Sequence, residues 1–452
     1  MAKRRRVKTA TAPRQTKRRK AAALALAPVL PLPADLVDEV FLRLPPRSLA
    51  VCRCVAPSWN HLLSSPAFAD RYHAAADAAA ASAAPRFVSV AVERHGHQRS
   101  LLTAPTETIP ISSPCEDCPR VFCGAAKTCH GVFLLGRPCE GRFYACNPST
   151  GGVLRLPPRR PPWYLHSAGL GYHAAAGEHK AVLLERVGGL PSRWWIPRLQ
   201  CHVVTIGGGQ QRWRAPRGRR APIICKDALV SGTVDPVFAA GRLHWMLLAP
   251  AADATTGGEP NGILSFLIGS ESFERVPPPP SAATDVPKHG DRRSSKTGSS
   301  SDTGTERSRS TPHTTLAELG GRLCMVRDLR DRAKGRLLFE VWKLHGYEPV
   351  SWSLDCRIDP AWVSNWLWWP RYVNIFPLRY VGGETSGESK KILLANTLQM
   401  AAVYDPDAKE LLTVADCRNG MSENMRMVLY QESPVHIAGM EYGTDDITFT
   451  RF

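Results

Sequence analysis

The side chains best suited to metal chemistry are four cysteines and a histidine in the first third of the chain. Cys115 and Cys118 have the Cys-x-x-Cys spacing of half a zinc site, and Cys123, Cys129 and His130 follow. Structural zinc takes four thiolate or imidazole ligands, commonly from two close pairs. No second pair follows at that spacing. We therefore interpret these residues as reduced structural thiols and expect no metal.

Sequence patterns of common catalytic sites are missing or misplaced. The chain contains no H-E-x-x-H, G-x-S-x-G or G-x-x-x-x-G-K-[ST] pattern. Residues 169–174 (GLGYHA) fit the dinucleotide pattern G-x-G-x-x-A. That pattern requires a turn from a strand into a helix, whereas these residues lie among β-like segments. We expect a protein that is not an enzyme and that needs no cofactor.

The stretch from Leu32 to Phe68 is typical of a compact set of three short helices. Prolines separate the helices, because proline cannot continue a helix but fits its first turn. Ser48 is a candidate cap for the second helix. The first helix has one apolar face, formed by Leu36, Val37, Val40, Phe41 and Leu44. About 37 residues are too few for a domain that is stable alone. The surplus apolar surface therefore predicts a partner.

This stretch resembles the F-box, whose pattern is LPxDLxxEILxRLPxKSLxRxRCVxKSWxxLIsxPxF. It departs from the pattern at Ala56-Pro57, where Cys or Ser and then Lys are usual. The resemblance implies docking onto a Skp-type adaptor and, through it, onto a cullin ubiquitin ligase. The adaptor contacts that it implies are Leu32, Pro33, Leu36, Val40, Leu44, Pro45, Leu49, Val55, Trp59 and Leu62. The alternative is an ordinary helical subdomain packed on the rest of the chain.

Positive charge is concentrated at the N terminus. The chain has 58 Lys and Arg against 40 Asp and Glu, a net charge of +18, and residues 1–20 contain no acidic residue. Such a segment cannot form a core, so we expect it to be disordered. Two basic clusters have the spacing of a bipartite nuclear import signal: Lys3, Arg4, Arg5 and Arg6, then Lys17, Arg18, Arg19 and Lys20. The predicted location is the nucleus, with the cytoplasm as a second location, and nucleic-acid binding is the competing interpretation of the clusters.

Nothing in the sequence predicts a membrane or secreted protein. Prolines interrupt the apolar stretch from Ala21 to Leu32, and no other run approaches the ~18 apolar residues of a membrane span. The 13 cysteines are odd in number and scattered, which disfavours a disulfide framework. We expect an intracellular, soluble protein.

From residue 86 onward short β-like segments recur. Glycine-led strands at 131–134, 241–245 and 321–324 alternate with hairpins at 142–157, 202–216, 263–277, 339–354 and 401–414. A strand followed by a hairpin is the unit of a propeller blade, although the spacing of about 60 residues exceeds that of the best-known repeats. We expect an irregular β-propeller of six to eight blades, and a β-sandwich is the alternative.

The same region resembles the F-box-associated region of plant F-box proteins, a kelch-like β-propeller. The similarity is carried by CHGVFLL, CNPSTGGVLRLPP, GLGYHAAAGEHKAVLL and GRLHW. It implies a surface that binds a target protein. Residues 277–314 interrupt it with a polar, Ser- and Arg-rich segment that we expect to be a disordered insertion. Trp362, Trp366, Trp368, Trp369 and Tyr372 form an aromatic run that suits either blade packing or recognition.

The expected fold class is therefore α+β multidomain, a small all-α F-box followed by a mostly β body. We place a disordered basic tail at 1–28, the F-box at 29–68, a helical linker at 69–85 and the propeller at 86–452. The predicted function is a non-catalytic substrate receptor of an SCF-type ubiquitin ligase with an unknown target. The alternative is a nuclear F-box regulator that binds nucleic acid or chromatin through its basic tail.

Overall fold

The structure is a computed structural model that divides into two compact units, residues 1–43 and residues 44–452. The import clusters, Leu32, Cys115, Cys118, the aromatic run and residues 281–313 lie outside the part that it describes. Within the described part, no helix is long and apolar enough to cross a membrane. The described residues are 33–80, 84–93, 106–112, 122–123, 126–137, 140–159, 164–187, 198–208, 211–218, 229–231, 234–249, 260–280, 314–329, 339–358, 375–382, 390–397, 399–416 and 426–442.

Four helices follow one another at the start of the described chain. Helix α1, in the smaller unit, carries Asp35 in its first turn and Arg43 in its last, which matches the direction of the helix dipole. Arg43 also pairs with Glu39 one turn earlier, at 3.6 Å. The bounds are Ala34–Arg43 for α1, Pro46–Cys52 for α2, Pro57–Leu63 for α3 and Pro66–Ala80 for α4.

Prolines start the three helices of the larger unit. Each of α2, α3 and α4 begins at a proline, whose missing N–H is not needed in the first turn. The prediction that Ser48 caps α2 is wrong, because that helix already begins at Pro46 and has no side-chain cap. In α4 the Ser65 hydroxyl accepts a hydrogen bond from the N–H of Phe68 at 3.2 Å. This bond caps the helix that carries the chain into the β body.

Five antiparallel sheets of sequential strands form a five-bladed β-propeller. The first blade has β3 Phe122–Cys123, β4 Phe133–Arg137, β5 Arg142–Asn147 and β6 Gly152–Arg155, with β24 Glu441–Tyr442 added at its outer edge; the second has β7 Tyr164–His173, β8 Glu178–Val187 and β9 Arg198–Ile206. The third has β10 Leu229–Val230, β11 Val237–Ala239, β12 Arg242–Leu248, β13 Pro260–Leu267 and β14 Ser272–Val276. The fourth has β15 Thr315–Leu319, β16 Arg322–Asp328, β17 Phe339–Tyr347 and β18 Val350–Ile358, and the fifth has β19 Ile375–Val381, β20 Lys391–Asn396, β21 Met400–Asp405 and β22 Glu410–Asp416.

The expected six to eight blades are therefore too many. The remaining strands are β1 Arg86–Glu93, β2 Thr106–Ser112 and β23 Arg426–Tyr430, which form a mixed sheet. In that sheet β1 pairs in parallel with β2 and antiparallel with β23. Strands that lie next to each other in sequence but pair in parallel cannot make an up-and-down blade. This sheet joins the two ends of the β body instead.

Four of the five predicted hairpins occur with the expected strands, namely β5–β6, β13–β14, β17–β18 and β21–β22. The hairpin predicted at 202–216 does not form. Strand β9 pairs along its length with β8, and only Val203 bridges to Arg214. The segment expected to form the second strand of this hairpin is held by other contacts. The indole N–H of Trp213 donates to the Pro157 carbonyl at 2.7 Å, and Arg214 binds Glu271.

The glycine-led strands β4, β12 and β16 are the second strand of their blades, and a shorter strand precedes each one. The first strands of neighbouring blades contact one another, since β7 contacts β11, β11 contacts β15 and β15 contacts β19. Gly131 shows why glycine leads β4. Its φ is +77°, and a Cβ atom there would lie 2.0 Å from the side chain of Ser433. The C-terminal segment thus packs directly on the first blade.

A buried ion cluster joins the second and third blades. Glu271, fully buried in the β13–β14 turn, accepts hydrogen bonds from Lys180 at 2.9 Å and from both terminal nitrogens of Arg214 at 2.6 Å. The N–H of Arg217 donates to it at 2.9 Å, and Lys180 also reaches the Ile268 carbonyl at 3.0 Å. Burial alone would raise the pKa of Glu271, but the bonds from Arg214 and Lys180 outweigh burial and lower it to about 2.

The start of the predicted insertion is attached to the propeller. The Pro277 carbonyl accepts a hydrogen bond from the indole of Trp352 at 3.1 Å, and the Pro279 and Pro280 carbonyls accept from Arg327 at 2.5 and 2.8 Å. Residues 277–280 therefore belong to the β body, whereas 281–313 lie outside the described residues.

Candidate functional site: exposed apolar side chains on the first helices

Helix α1 exposes two apolar side chains one turn apart. Leu36 is 52% exposed and Val40 is 51% exposed, whereas Phe41 on the same helix is 3% exposed. Residues at i and i+4 lie on one side of a helix, so Leu36 and Val40 present a continuous apolar strip. Such a strip is costly to leave in water, since each aliphatic side chain gains ~1.5–3 kcal/mol on full burial.

Helix α2 and the turn after it expose a second apolar pair. Val51 is 67% exposed and Val55 is 64% exposed. Beneath them, Leu49 and Leu63 are buried at 1% and 3% exposure and anchor α2 and α3. Helices α1 and α2 therefore each have a buried apolar residue and apolar side chains on the outside, which is unusual for a surface without a partner.

The structure places the other predicted adaptor contacts in three environments. Pro33 and Pro45 are exposed, and Leu44, Trp59 and Leu62 are partly buried. Leu49 is enclosed, so we assign it to the support of α2 and not to direct contact. Val51 was missed by the sequence analysis, although it could have been noticed as an apolar residue where the F-box pattern has Arg.

Helix α4 links the start of α2 to the propeller through polar contacts. The Tyr72 hydroxyl donates to the Leu44 carbonyl at 3.0 Å, next to the start of α2. On the propeller side, the Tyr172 hydroxyl donates to Asp70 at 3.4 Å, and the amide of Gln431 donates to the His73 carbonyl at 3.4 Å. Helix α4 is therefore hydrogen-bonded both to the residue before α2 and to the β body.

A cluster of aromatic rings fills the contact between α4 and the propeller. His130 stacks on Tyr172 with ring centres 3.9 Å apart, and His73 meets His130 edge-on at 5.3 Å. The Nε2–H of His179 donates to the Cys129 carbonyl at 3.1 Å. Burial lowers the pKa of His73 to about 4 and that of His179 to about 3, and it also lowers the pKa of His130. All three rings are therefore neutral near pH 7 and act as packed aromatic groups.

The candidates for metal and nucleotide chemistry have structural roles in the described residues. Cys129 is buried, which raises the pKa of its thiol and keeps it protonated. Among the described residues, no group of three or more His, Cys, Asp or Glu side chains is placed to hold a metal ion. Residues 169–173 lie within strand β7, and no α-helix follows them, so the dinucleotide pattern lacks the turn that it needs.

These helices define the class of the protein. The family model of the F-box domain matches residues 29–71, which include α1, α2 and α3. The chain therefore carries an F-box domain, followed by a β-propeller body.

The chain is similar to F-box proteins of the plant Arabidopsis thaliana. One F-box protein is 27% identical over 197 residues, which cover 40% of this chain and 47% of the relative. An F-box/LRR-repeat protein is 24% identical over 270 residues (55% of this chain, 56% of the relative). An F-box/kelch-repeat protein is 22% identical over 262 residues (55% of this chain, 65% of the relative).

The chain spans about half the length of the curated relatives it matches first. Among solved structures, an exo-inulinase from Aspergillus awamori matches with 11% identity and a TM-score of 0.26, covering 57% of this chain and 51% of that chain. A likeness at that level supports no argument about this protein.

Proposed function

We propose that this protein is a substrate receptor of an SCF-type ubiquitin ligase. Its F-box binds a Skp-type adaptor, and its propeller binds a target protein. The observation that carries the proposal is the F-box match over residues 29–71 together with the four apolar side chains that α1, α2 and the following turn expose: Leu36, Val40, Val51 and Val55. Full burial of each such side chain against a partner is worth ~1.5–3 kcal/mol.

The attachment of α4 to the propeller supports this role. A receptor must hold its target at a defined distance from the ubiquitin that the other subunits deliver. The bonds from Tyr72 to Leu44 and from Tyr172 to Asp70 link α4 to the start of α2 and to strand β7. In this proposal the chain positions a target and performs no chemistry itself, and the cullin complex supplies the transfer reaction.

Affinity purification of the full chain tests the proposal. We expect the adaptor and the cullin to co-purify, and one or more further proteins to accumulate in the complex when the proteasome is inhibited, because degradation then no longer removes the target. The matched control is the chain without residues 29–71, which should lose the adaptor and the cullin together. Purification of the full chain without an adaptor would contradict the proposal.

We also propose that the basic N terminus directs the protein to the nucleus. Replacing the ten Lys and Arg of residues 1–20 by Gln keeps the length of the segment and removes its charge. We expect the variant to move to the cytoplasm, and residues 1–20 fused to a cytosolic reporter to move it to the nucleus. Unchanged nuclear accumulation of the variant would refute the import signal. Loss of salt-sensitive DNA binding without relocation would favour the nucleic-acid alternative.

A further inference from the structure

A run of four prolines, residues 277–280, lies against the fourth blade. We call it the proline run. It starts directly after β14, the last strand of the third blade, and its carbonyls contact side chains of β16 and β18. Each proline fixes its own φ and keeps the residue before it out of the helical region, so consecutive prolines adopt the extended polyproline II helix. Pro279 is buried, whereas Pro277 and Pro280 are exposed.

Three carbonyls of the proline run accept hydrogen bonds from two side chains of the fourth blade. The indole N–H of Trp352 donates to the Pro277 carbonyl at 3.1 Å. The Arg327 guanidinium donates to the Pro279 carbonyl at 2.5 Å and to the Pro280 carbonyl at 2.8 Å. A polyproline II helix has three residues per turn, so the carbonyls of its first and fourth residues point to the same side. Trp352 and Arg327 therefore bind one side of a polyproline II turn.

The two donors lie on the same face of the fourth blade. Met325 precedes Arg327 by two positions on β16, and residues two apart on a strand point to the same face. Leu344 on β17 pairs with Trp352 on β18. Met325 and Leu344 are buried in one apolar cluster, and Trp352 packs against that cluster. Arg327 and Trp352 thus border a surface with buried apolar side chains between them.

Trp342 on β17 orients the Arg327 guanidinium. The guanidinium carbon lies 5.3 Å from the centre of the Trp342 ring, within the range of a cation–π interaction. The ring is itself fixed, because its indole N–H donates to the Glu340 carboxylate at 3.0 Å. Glu340 is 3% exposed and also accepts a hydrogen bond from Arg357 at 3.1 Å. Arg327 is therefore positioned by contacts that do not involve the proline run.

These contacts have the chemistry of a proline-recognition groove. Aromatic-lined grooves bind proline-rich segments because the polyproline II helix is already formed before binding and loses little entropy. Prolines have no N–H, so such a segment leaves its own carbonyls without internal partners. All three hydrogen bonds from Trp352 and Arg327 go to main-chain carbonyls, which any polyproline II segment offers. The proline run donates no main-chain N–H to a sheet, so its release breaks no strand pairing.

We propose that Trp342, Trp352 and Arg327 form a binding groove for proline-rich segments of other proteins, occupied here by the chain's own proline run. A proline-rich segment of a partner binds in place of the run. Because the run is attached to β14, it competes at a millimolar effective concentration and keeps weak ligands out of the groove. This inference goes beyond the proposed receptor function and does not depend on it, since none of these residues belongs to the F-box.

The test compares the full chain with a variant whose groove is emptied. The probe is N-acetyl-hexaproline amide, and a glycine–serine hexamer amide is its control. Replacing residues 277–280 by Gly-Ser-Gly-Ser keeps the chain length and removes the preference for polyproline II. We expect this variant to bind hexaproline at least about tenfold more tightly than the parent in titration calorimetry, since the attached competitor is gone. A folded variant that does not bind hexaproline, or binds it no more tightly than the parent, would overturn the proposal.

Further substitutions in the emptied variant assign the site. Trp352→Phe removes the indole N–H but keeps an aromatic ring, and should weaken hexaproline binding about fivefold, the effect of one neutral hydrogen bond. Arg327→Met should weaken it at least about tenfold, because hydrogen bonds from a charged group are stronger. Trp213→Phe is the matched control, since the Trp213 indole also donates to a proline carbonyl, that of Pro157, outside the groove. It should leave binding unchanged, and equal effects of the two Phe substitutions would refute the assignment.

The parent chain decides the question if the emptied variant does not fold, which circular dichroism shows. We expect saturation transfer in ligand-observed NMR from the parent to hexaproline at about 10 mM peptide, a concentration that competes with the attached run. The glycine–serine hexamer should receive none. Absence of transfer to hexaproline, or equal transfer to both peptides, would overturn the proposal.

Discussion

Glu271→Gln is expected to destabilise the β body by about 3–5 kcal/mol, the usual effect of removing one partner from a buried ion cluster. The substitution keeps the shape of the side chain but leaves the Lys180 ammonium, whose side chain is 4% exposed, without its counter-charge. It also weakens the paired bonds from Arg214. Urea unfolding followed by circular dichroism gives the change in the free energy of unfolding.

A surface pair on the adjoining strand provides the control. Glu274 pairs with Arg242 and its side chain is 41% exposed, so Glu274→Gln should change stability by less than about 1 kcal/mol. Adding Lys180→Met to Glu271→Gln should recover part of the loss, because the buried charge is then removed. Equal effects of the two Gln substitutions would contradict a stabilising role for the cluster.

The same cluster predicts a dependence on pH. The pKa of Glu271 falls from 4.5 to about 2 on folding, so the folded state favours the ionised carboxylate. The resulting stabilisation, about 3 kcal/mol, is fully present above pH 5 and is lost as the pH falls towards 2. The difference in stability between the parent and Glu271→Gln should therefore shrink as the pH is lowered through this range.

Leu36→Asp combined with Val55→Asp is expected to abolish adaptor binding. Both side chains are more than half exposed, so the substitutions should change the surface and leave the helices folded. Each would place a charge in a desolvated apolar contact, and hot-spot residues cost at least about 2 kcal/mol when altered. Pull-down of a Skp-type adaptor from a mixture of purified proteins is the measurement.

The matched control is Leu412→Asp, since Leu412 on β22 is 69% exposed and lies far along the chain from the F-box. It should leave adaptor binding unchanged. A third variant, Leu49→Ala, tests the buried position: we expect it to lower the thermal stability of the helices together with adaptor binding. Undiminished adaptor binding by the Leu36/Val55 variant would contradict the proposal that these side chains contact the adaptor.

The local elements of this protein could be predicted because their signals are local. Proline lacks the N–H that a helix interior requires, so the start of a helix at Pro57 was predictable, whereas Pro46 and Pro66 were expected only to end a helix and in fact also begin the next one. Alternating apolar residues around short polar turns likewise predicted four hairpins that the structure contains. The hairpin predicted at 202–216 has the same local signals but does not form, because Trp213 and Arg214 make tertiary contacts that keep their segment from pairing along β9.

The F-box motif identified a binding segment, but not which side chains face outward. The spacing of apolar residues put Leu36, Val40 and Phe41 on one face, whereas the structure buries Phe41 and exposes the other two. Exposure depends on what covers each part of a helix, and a periodic pattern does not contain that information. For the same reason the pattern did not show that Leu49 is enclosed and Val51 exposed.

The sequence by itself determined the class of this protein, an F-box followed by a β body, because motif and periodicity depend only on near neighbours in the chain. Only the tertiary structure decided the number of blades and the ion cluster. Strand β1 pairs with β23, where Arg86 meets Glu432 across 346 positions, and Lys180 meets Glu271 across 91. Such contacts form when the chain closes on itself, and their partners have no spacing that a reader of the sequence could recognise.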